Sequence, residues 1–521
     1  MHNREDEELS NNGPLQDSIT KRLPEVSRLF RGTGLILGGQ VFESAFGFLK
    51  NILLARVFGA SGFGLFNLGI TFYSVGVSFT GMGFSNALTK FLPMHKAHGE
   101  DEKITATLRH TVYWVILTGA MIGAVIFLFA GTISTRYKAP DLKPLLLTLA
   151  VGVPVSALFK IYLTFTRSLH SMRASVLVQN ISVPLVFVGV FGVLYILGFG
   201  IYSAVVAMVA ADALGSLLCI KYMLRLHPGM NSPTRPEDFD KKRFIGYSNT
   251  VFSTRITSSV ISYFDVIILG AYVSLADIGV YSVAIKVVSI LAVVMTAMNM
   301  VFPQMVAEQY EKGNLEKVKE MYKLITRWLI YICLFISLFI SVFSHELLGL
   351  FGKQYSSGSV LVLVLITGYF VSYTMGHAES LLLMMEKQKI YAINQFSVAA
   401  VNIVLNLALI PSFGILGAAI TKCVGSTLNI VMCVVELFVI HGVLPFDRSC
   451  LTPFFIGAAA FIPAFIINSA FHLYWVAAAV SVLAYAALMY FWGGNDEDRQ
   501  FLADMKQSFV LRFSVKGSTA Q

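Results

Sequence analysis

A nine-residue phrase occurs four times in this chain. It reads Phe63-Gly-Leu-Phe-Asn-Leu-Gly-Ile-Thr71, then Phe199-Gly-Ile-Tyr-Ser-Ala-Val-Val-Ala207, then Ile278-Gly-Val-Tyr-Ser-Val-Ala-Ile-Lys286, then Phe413-Gly-Ile-Leu-Gly-Ala-Ala-Ile-Thr421. The step from the first copy to the third equals the step from the second to the fourth to within one position. The chain is therefore two similar halves, each using the phrase twice. In a very apolar chain such a duplication points to a transporter that rocks one half against the other.

The 521 residues are 56% hydrophobic and only 13% charged, with mean hydropathy +0.70. A soluble domain carries about 25% charged residues, so this is a polytopic membrane protein. A span needs ~20 apolar residues, and segments of that length lie near 31–57, 63–85, 110–131, 144–166, 174–198, 200–224, 244–273, 277–304, 323–344, 355–382, 389–410, 413–440, 450–469 and 472–492. The expected fold class is an all-α membrane protein of about fourteen transmembrane helices, in two pseudo-symmetric six-helix lobes plus two C-terminal helices. The expected division is a 1–30 N-terminal tail, a 31–224 lobe, a 225–243 linker, a 244–440 lobe, two further helices over 450–492 and a 493–521 C-terminal tail.

Basic residues orient the chain. Placing both tails in the cytoplasm puts most of the 39 Lys and Arg on that side, with Arg136, Lys138, Lys143 and Lys353 outside. This bias accounts for the net charge of +9 without nucleic acid. The expected location is the plasma membrane. The five cysteines have no metal or redox spacing, and no signal peptide is visible. Each phrase copy falls at the outer start of an even-numbered span, where its glycine and small residues suit turning and close helix packing rather than binding.

A charge within the bilayer costs at least ~2.5–3.5 kcal/mol, so ionisable residues there should face a wet cavity or a partner. The deep basic residues are Lys50, Arg255, Lys286 and Lys422, set against Glu43, Asp265 and Glu379. Lys286 sits about ten residues into its span, roughly 15 Å deep, with Asp265 of the preceding span as its expected partner. Arg56 and Lys160 lie near enough to an interface to snorkel, and Asp212 and Glu436 are ambiguous. Two readings stand side by side. One is a basic cavity for an anionic phosphate or pyrophosphate head group, held by Lys50, Arg255, Lys286 and Lys422, with Glu43, Asp265 and Glu379 serving ion coupling or charge pairing. The other is a set of structural ion pairs. Gln40, Asn180, Asn249, Ser253, Thr254, Asn299 and Asn402 are polar neighbours for such a cavity or for helix contacts. No phosphate loop, zinc motif or nucleophile elbow occurs, so neither catalysis, a metal nor a cofactor is expected.

Several segments resemble the Wzx-type polysaccharide flippases: Leu53-Leu-Ala-Arg-Val-Phe-Gly-Ala-Ser-Gly-Phe-Gly-Leu-Phe66, Phe264-Asp-Val-Ile-Ile-Leu-Gly270 with Ile278-Gly-Val-Tyr-Ser282, Val301-Phe-Pro-Gln304, and Asn406-Leu-Ala-Leu-Ile-Pro-Ser-Phe-Gly-Ile-Leu-Gly-Ala-Ala419. The likeness covers about residues 30–440. It implies membership of the multidrug/oligosaccharidyl-lipid/polysaccharide exporter superfamily and two six-helix lobes in a V shape. It also implies a polyprenyl-linked oligosaccharide moved to the outer leaflet by alternating access, in a cationic cavity that Lys50, Arg255 and Lys286 would suit. Implied partners are the lipid-linked oligosaccharide, membrane lipids and polysaccharide-assembly enzymes. The alternatives are a drug or metabolite antiporter of the same fold, and a non-transporting subunit of a polysaccharide-assembly complex.

Overall fold

The computed structural model describes residues 13–169, 172–226, 240–299, 302–375, 377–471 and 474–492, with side chains from residue 38 onward. Most of the 225–243 linker, the 493–521 tail and the first residues of the 1–30 tail lie outside the described residues. Those described form helices joined by short turns, without strands. In a bilayer core no water is present to satisfy backbone N–H and C=O groups, so a chain this apolar must satisfy them within helices.

Twelve helices among the described residues are long and apolar enough to cross a membrane. Two of them, Gly38–Thr80 with 43 residues and Gln388–His441 with 54, hold two crossings each. Each is broken by one glycine outside helical space, Gly59 (φ 67°, ψ −178°) and Gly414 (φ 55°, ψ −132°). A Cβ on Gly417 would lie 2.4 Å from the Leu409 carbonyl oxygen. Those residues would be ~12 Å apart along a continuous helix, so the chain doubles back between them. The crossing segments are α1 (13–58), α2 (60–80), α3 (Asp101–Arg136), α4 (Leu142–Ser168), α5 (Ala174–Ile196), α6 (Tyr202–Leu226) and α7 (Lys241–Tyr272). They continue as α8 (Leu275–Thr296), α9 (Leu315–Val342), α10 (Lys353–Met384), α11 (388–413), α12 (415–441), α13 (Thr452–Phe471) and α14 (Tyr474–Trp492).

The chain forms two compact units. Unit 1 holds the chain up to Lys50 with Gly76–Ile133 and Lys143–Phe252; unit 2 holds Asn51–Val75, Ser134–Leu142 and Ser253 onward. An aromatic cluster centres unit 1, with Phe84 and Phe244 stacked at 5.8 Å and Phe91 beside them. In unit 2 the two C-terminal helices pack on α9: Phe335 and Tyr485 rings meet at 5.0 Å, and the Tyr485 hydroxyl donates to the Tyr331 carbonyl at 2.8 Å.

The four phrase copies divide by task. Copies one and three face each other within unit 2. A Cβ on Gly64 would fall 1.7 Å from the Leu275 carbonyl oxygen, and one on Gly279 would fall 2.2 Å from that of Ala60. Each glycine thus admits the other helix's backbone. Copies two and four supply turn residues instead: Gly200 (φ 54°) and Gly414 (φ 55°) occupy the left-handed region that glycine enters without steric cost. Beside copy one, the Arg56 Nε donates to the Leu350 carbonyl at 2.7 Å and the Tyr355 hydroxyl donates to that of Ala55 at 3.2 Å.

Outside the spans of unit 1, Glu100 closes the turn before α3. Its carboxylate accepts from Lys103 at 2.6 Å and meets the His95 ring at 2.7 Å. The Lys103 hydrogen bond, then that of His95, holds its pKa down to about 2.

The glycine contacts and the Glu100 turn can both be tested. Gly64→Ala and Gly279→Ala should each destabilise the purified protein by at least ~1–3 kcal/mol through overpacking. Gly200→Ala, with open space around it, should cost only the ~1–2 kcal/mol of a left-handed alanine; thermal melts in one detergent would rank them. The Glu100 carboxylate is favoured in the folded state, so its contribution is present above the ordinary glutamate pKa and lost as pH falls toward about 2. Amide protection factors at residues 98–103, taken relative to intrinsic rates at each pH, should fall over that window in the native chain and stay flat and low in Glu100→Gln.

Candidate functional site

Helix α7 has the lowest mean hydropathy of the crossing helices, 1.2, because it carries a run of hydroxyls. The helix itself satisfies most of them: Thr257, Ser258, Ser259 and Ser262 each donate to the carbonyl four residues before, at 2.8–3.0 Å. Asp265 takes its partners from other helices. Its Oδ1 accepts from the Val266 amide at 2.9 Å. Its Oδ2 accepts from the Tyr281 hydroxyl of α8 at 2.5 Å and from the Lys422 ammonium of α12 at 2.7 Å. Lys422 also donates to the Ser262 carbonyl at 3.3 Å. The sequence pairs Asp265 with Lys286 of the neighbouring span; the structure pairs it with Lys422, 157 residues away, because α12 rather than the Lys286 face of α8 meets the carboxylate.

Lys422 lines a cavity of about 600 Å³ inside unit 2, walled by α7, α8, α10, α11 and α12. Its polar surface is mainly hydroxyl, amide and phenol, from residues such as Ser258, Asn299, Tyr369, Tyr373, Asn402 and Asn429. Glu379 lies in the wall and accepts from the Tyr391 hydroxyl, itself held by Gln395 at 2.6 Å. Among the residues lining this cavity Lys422 is the one cation.

Unit 1 has its own cavity, about 410 Å³, walled by α1, α4, α5 and α6. It gathers Glu43, Lys50, Lys160, Gln179 and Asp212 with Phe46, Phe159 and Phe187. The Lys50 ammonium sits 5.0 Å from the Phe187 ring centroid, a cation–π distance. Both lysines act electrostatically on the Asp212 carboxylate, which accepts a hydrogen bond from Ser156. Glu43 accepts from Gln179 at 2.8 Å, and Arg167 donates to the other end of that amide. A π-helical turn over Leu177–Ser182 lies where α5 delivers Gln179.

The two cavities occupy repeat-equivalent positions. The step that carries Phe63 onto Ile278 carries Glu43, Phe46, Gly47 and Lys50 onto Ser258, Ile261, Ser262 and Asp265. The step that carries Phe199 onto Phe413 carries Met208, Ala211 and Asp212 onto Lys422, Gly425 and Ser426. All but Asp265 line their cavities, and Asp265 bonds the lysine that does. The charges are exchanged: a lysine on the first helix of one repeat half answers a carboxylate on the first helix of the other.

Of the residues singled out from sequence, Lys50 and Glu43 meet in unit 1, and Lys422, Asp265 and Glu379 meet in unit 2. Arg255 is exposed on α7, three residues before Ser258 and outside the cavity lining. Lys286 is half-buried on α8 with no ion pair among the described residues. Lys160, Asp212 and Gln179 escape the sequence reading as cavity residues because depth along a helix does not say which face a residue occupies; projecting the repeat from Ser426 flags Asp212. Removing one partner of a buried pair leaves the other charge uncompensated. Lys422→Met should therefore cost ~3–5 kcal/mol, and adding Asp265→Asn should recover most of it; chemical denaturation of the purified proteins would measure both.

The sequence matches the family model described as polysaccharide biosynthesis protein over residues 29–309 and that described as MatE over 251–408. It is 23% identical over 434 residues to the stage V sporulation protein B of Bacillus subtilis, covering 76% of this chain and 81% of that one. It is 26% identical to a probable low-salt glycan biosynthesis flippase of Haloferax volcanii, over 44% of this chain and 47% of that one. Its fold is similar to that of a solved structure described as the lipid II flippase MurJ in an inward closed conformation, with TM-score 0.66 and 12% identity, over 87% of this chain and 98% of that one. The family match covers more than half of a chain built of fourteen membrane-crossing segments, and the chain belongs to the polysaccharide biosynthesis protein family.

Proposed function

We propose that this protein is a flippase that carries a polyprenyl-linked oligosaccharide or polysaccharide repeat unit across the cytoplasmic membrane by alternating access, with both termini in the cytoplasm. The observation that carries the reading is the unit 1 cavity. There Lys50 and Lys160 line one cavity with aromatic rings and with the carboxylates of Glu43 and Asp212. Such a site offers cationic donors to a phosphate or pyrophosphate. Relatives described as flippases and the family's membership support the same reading.

Lys50 and Lys160 carry the head-group role in this proposal, and Arg255 and Lys286 stand as further contacts along the path. Lys422 is occupied by Asp265. Ion coupling falls to Glu43 and Glu379, whose direct hydrogen-bond partners are neutral, more than to Asp265, which has a fixed countercharge. Polysaccharide-assembly enzymes are the partners such a flippase would serve.

A charge-assisted hydrogen bond contributes ~1.5–3 kcal/mol, so Lys50→Ala and Lys160→Ala should each weaken binding of the lipid-linked oligosaccharide about 10–100-fold. In cells, both variants at normal membrane abundance should leave that lipid on the cytoplasmic leaflet. Translocation unchanged in both would exclude the cavity as the head-group site. Export of organic cations in place of the lipid would favour the antiporter.

A further inference from the structure

We propose that the cavity of unit 2 is the glycan subsite: it takes the uncharged, hydroxyl-rich sugar portion of the cargo, not its phosphate. The assignment rests on the flippase reading and adds to it a separate site with a separate chemistry.

Charge is the first argument. The repeat that makes the two cavities equivalent puts Lys50 in one and Asp265 at the same place in the other. In unit 2 that carboxylate lies 2.7 Å from the ammonium of Lys422, the one cation among the lining residues. The remaining acid in the wall, Glu379, accepts from the Tyr391 hydroxyl. A phosphate entering here would meet no uncompensated cation and one acid.

Surface chemistry is the second. At about 600 Å³ the space falls within the ~300–1,000 Å³ of ligand pockets. Its polar surface is dominated by neutral groups that both donate and accept, which suits sugar hydroxyls. Two polar atoms in the wall, Ser372 Oγ and Asn429 Oδ1, are buried without a hydrogen-bond partner in the protein. Leaving such atoms unpaired costs ~1–3 kcal/mol each, and both belong to residues that line the cavity. Tyr369 and Tyr373, one turn apart with ring centroids at 5.5 Å, give the same wall an aromatic surface with phenol edges. Sugars present C–H faces and O–H rims, and tyrosine answers both.

The test uses the full-length protein in nanodiscs. Its probe is the polyprenyl-pyrophosphate oligosaccharide pool extracted from the producing cells, before and after mild acid has removed the glycan, the acid-treated pool being only those molecules that mass spectrometry shows to have kept the lipid pyrophosphate. The native protein should bind the intact pool at least tenfold more tightly than the acid-treated one. Ser372→Ala with Asn429→Ala, and separately Tyr373→Leu, should shrink that ratio toward one while binding of the acid-treated pool stays unchanged. Lys50→Ala should weaken both pools and keep the ratio. Two variant sets are used so that one still reports if the other melts early. A ratio unaltered in both unit 2 variants overturns the glycan assignment and leaves the flippase reading standing. Failure of the native protein to bind either pool overturns both.

Discussion

The Asp265 carboxylate fixes the interior of unit 2. It draws the hydroxyl of α8 and the ammonium of α12 to one oxygen on α7, tying two consecutive helices to a third 157 residues along the chain. In a low-dielectric interior neither charge is tolerable alone, so the pair sets which helix faces meet. The polarity of the cavity follows. With Lys422 engaged, the wall is left to hydroxyls, amides and phenols. In unit 1 the equivalent first-helix position carries Lys50 instead, and that wall holds two lysines and two carboxylates among aromatic rings.

The membrane fold is legible in the sequence because a bilayer imposes one rule on every residue it surrounds. A run of apolar residues long enough to cross must be a helix, and the fourteen crossing segments follow from that alone. The turns are legible where glycine marks them, at Gly200 and Gly414. The packing role of Gly64 and Gly279 can be anticipated as a type, but which backbone each admits depends on three-dimensional register that no spacing encodes.

The candidate site is less open to reading. Lys50 and Glu43 announce themselves as two ionisable residues seven positions apart in a single span, two turns along one helix face. Asp265 pairs on paper with the nearest lysine along the chain, since sequence reasoning reaches adjacent spans more easily than one 157 residues away. Arg255 looks deep by counting from the start of α7, yet it lies on an exposed face. Lys160 is near enough to a span end to suggest snorkelling, and the structure makes it a cavity residue. In each case depth along the helix is recoverable and azimuth is not. The internal repeat is the missing azimuthal information: once one half's cavity is known, the steps from Phe63 to Ile278 and from Phe199 to Phe413 point to the other's.

Those two steps differ by a single position, and α5 has a feature of matching size. The stretch from Phe63 to Phe199 is one position longer than that from Ile278 to Phe413. The π-helical turn at Leu177–Ser182 is a place where a helix absorbs a single additional residue without shifting its ends. Downstream of it, every side chain of α5 is rotated by roughly a quarter of a turn from where an uninterrupted helix would put it. An extra residue placed in such a turn changes which face of α5 meets the cavity without lengthening a loop. A duplicated gene can in this way give its two copies different interiors while keeping one scaffold.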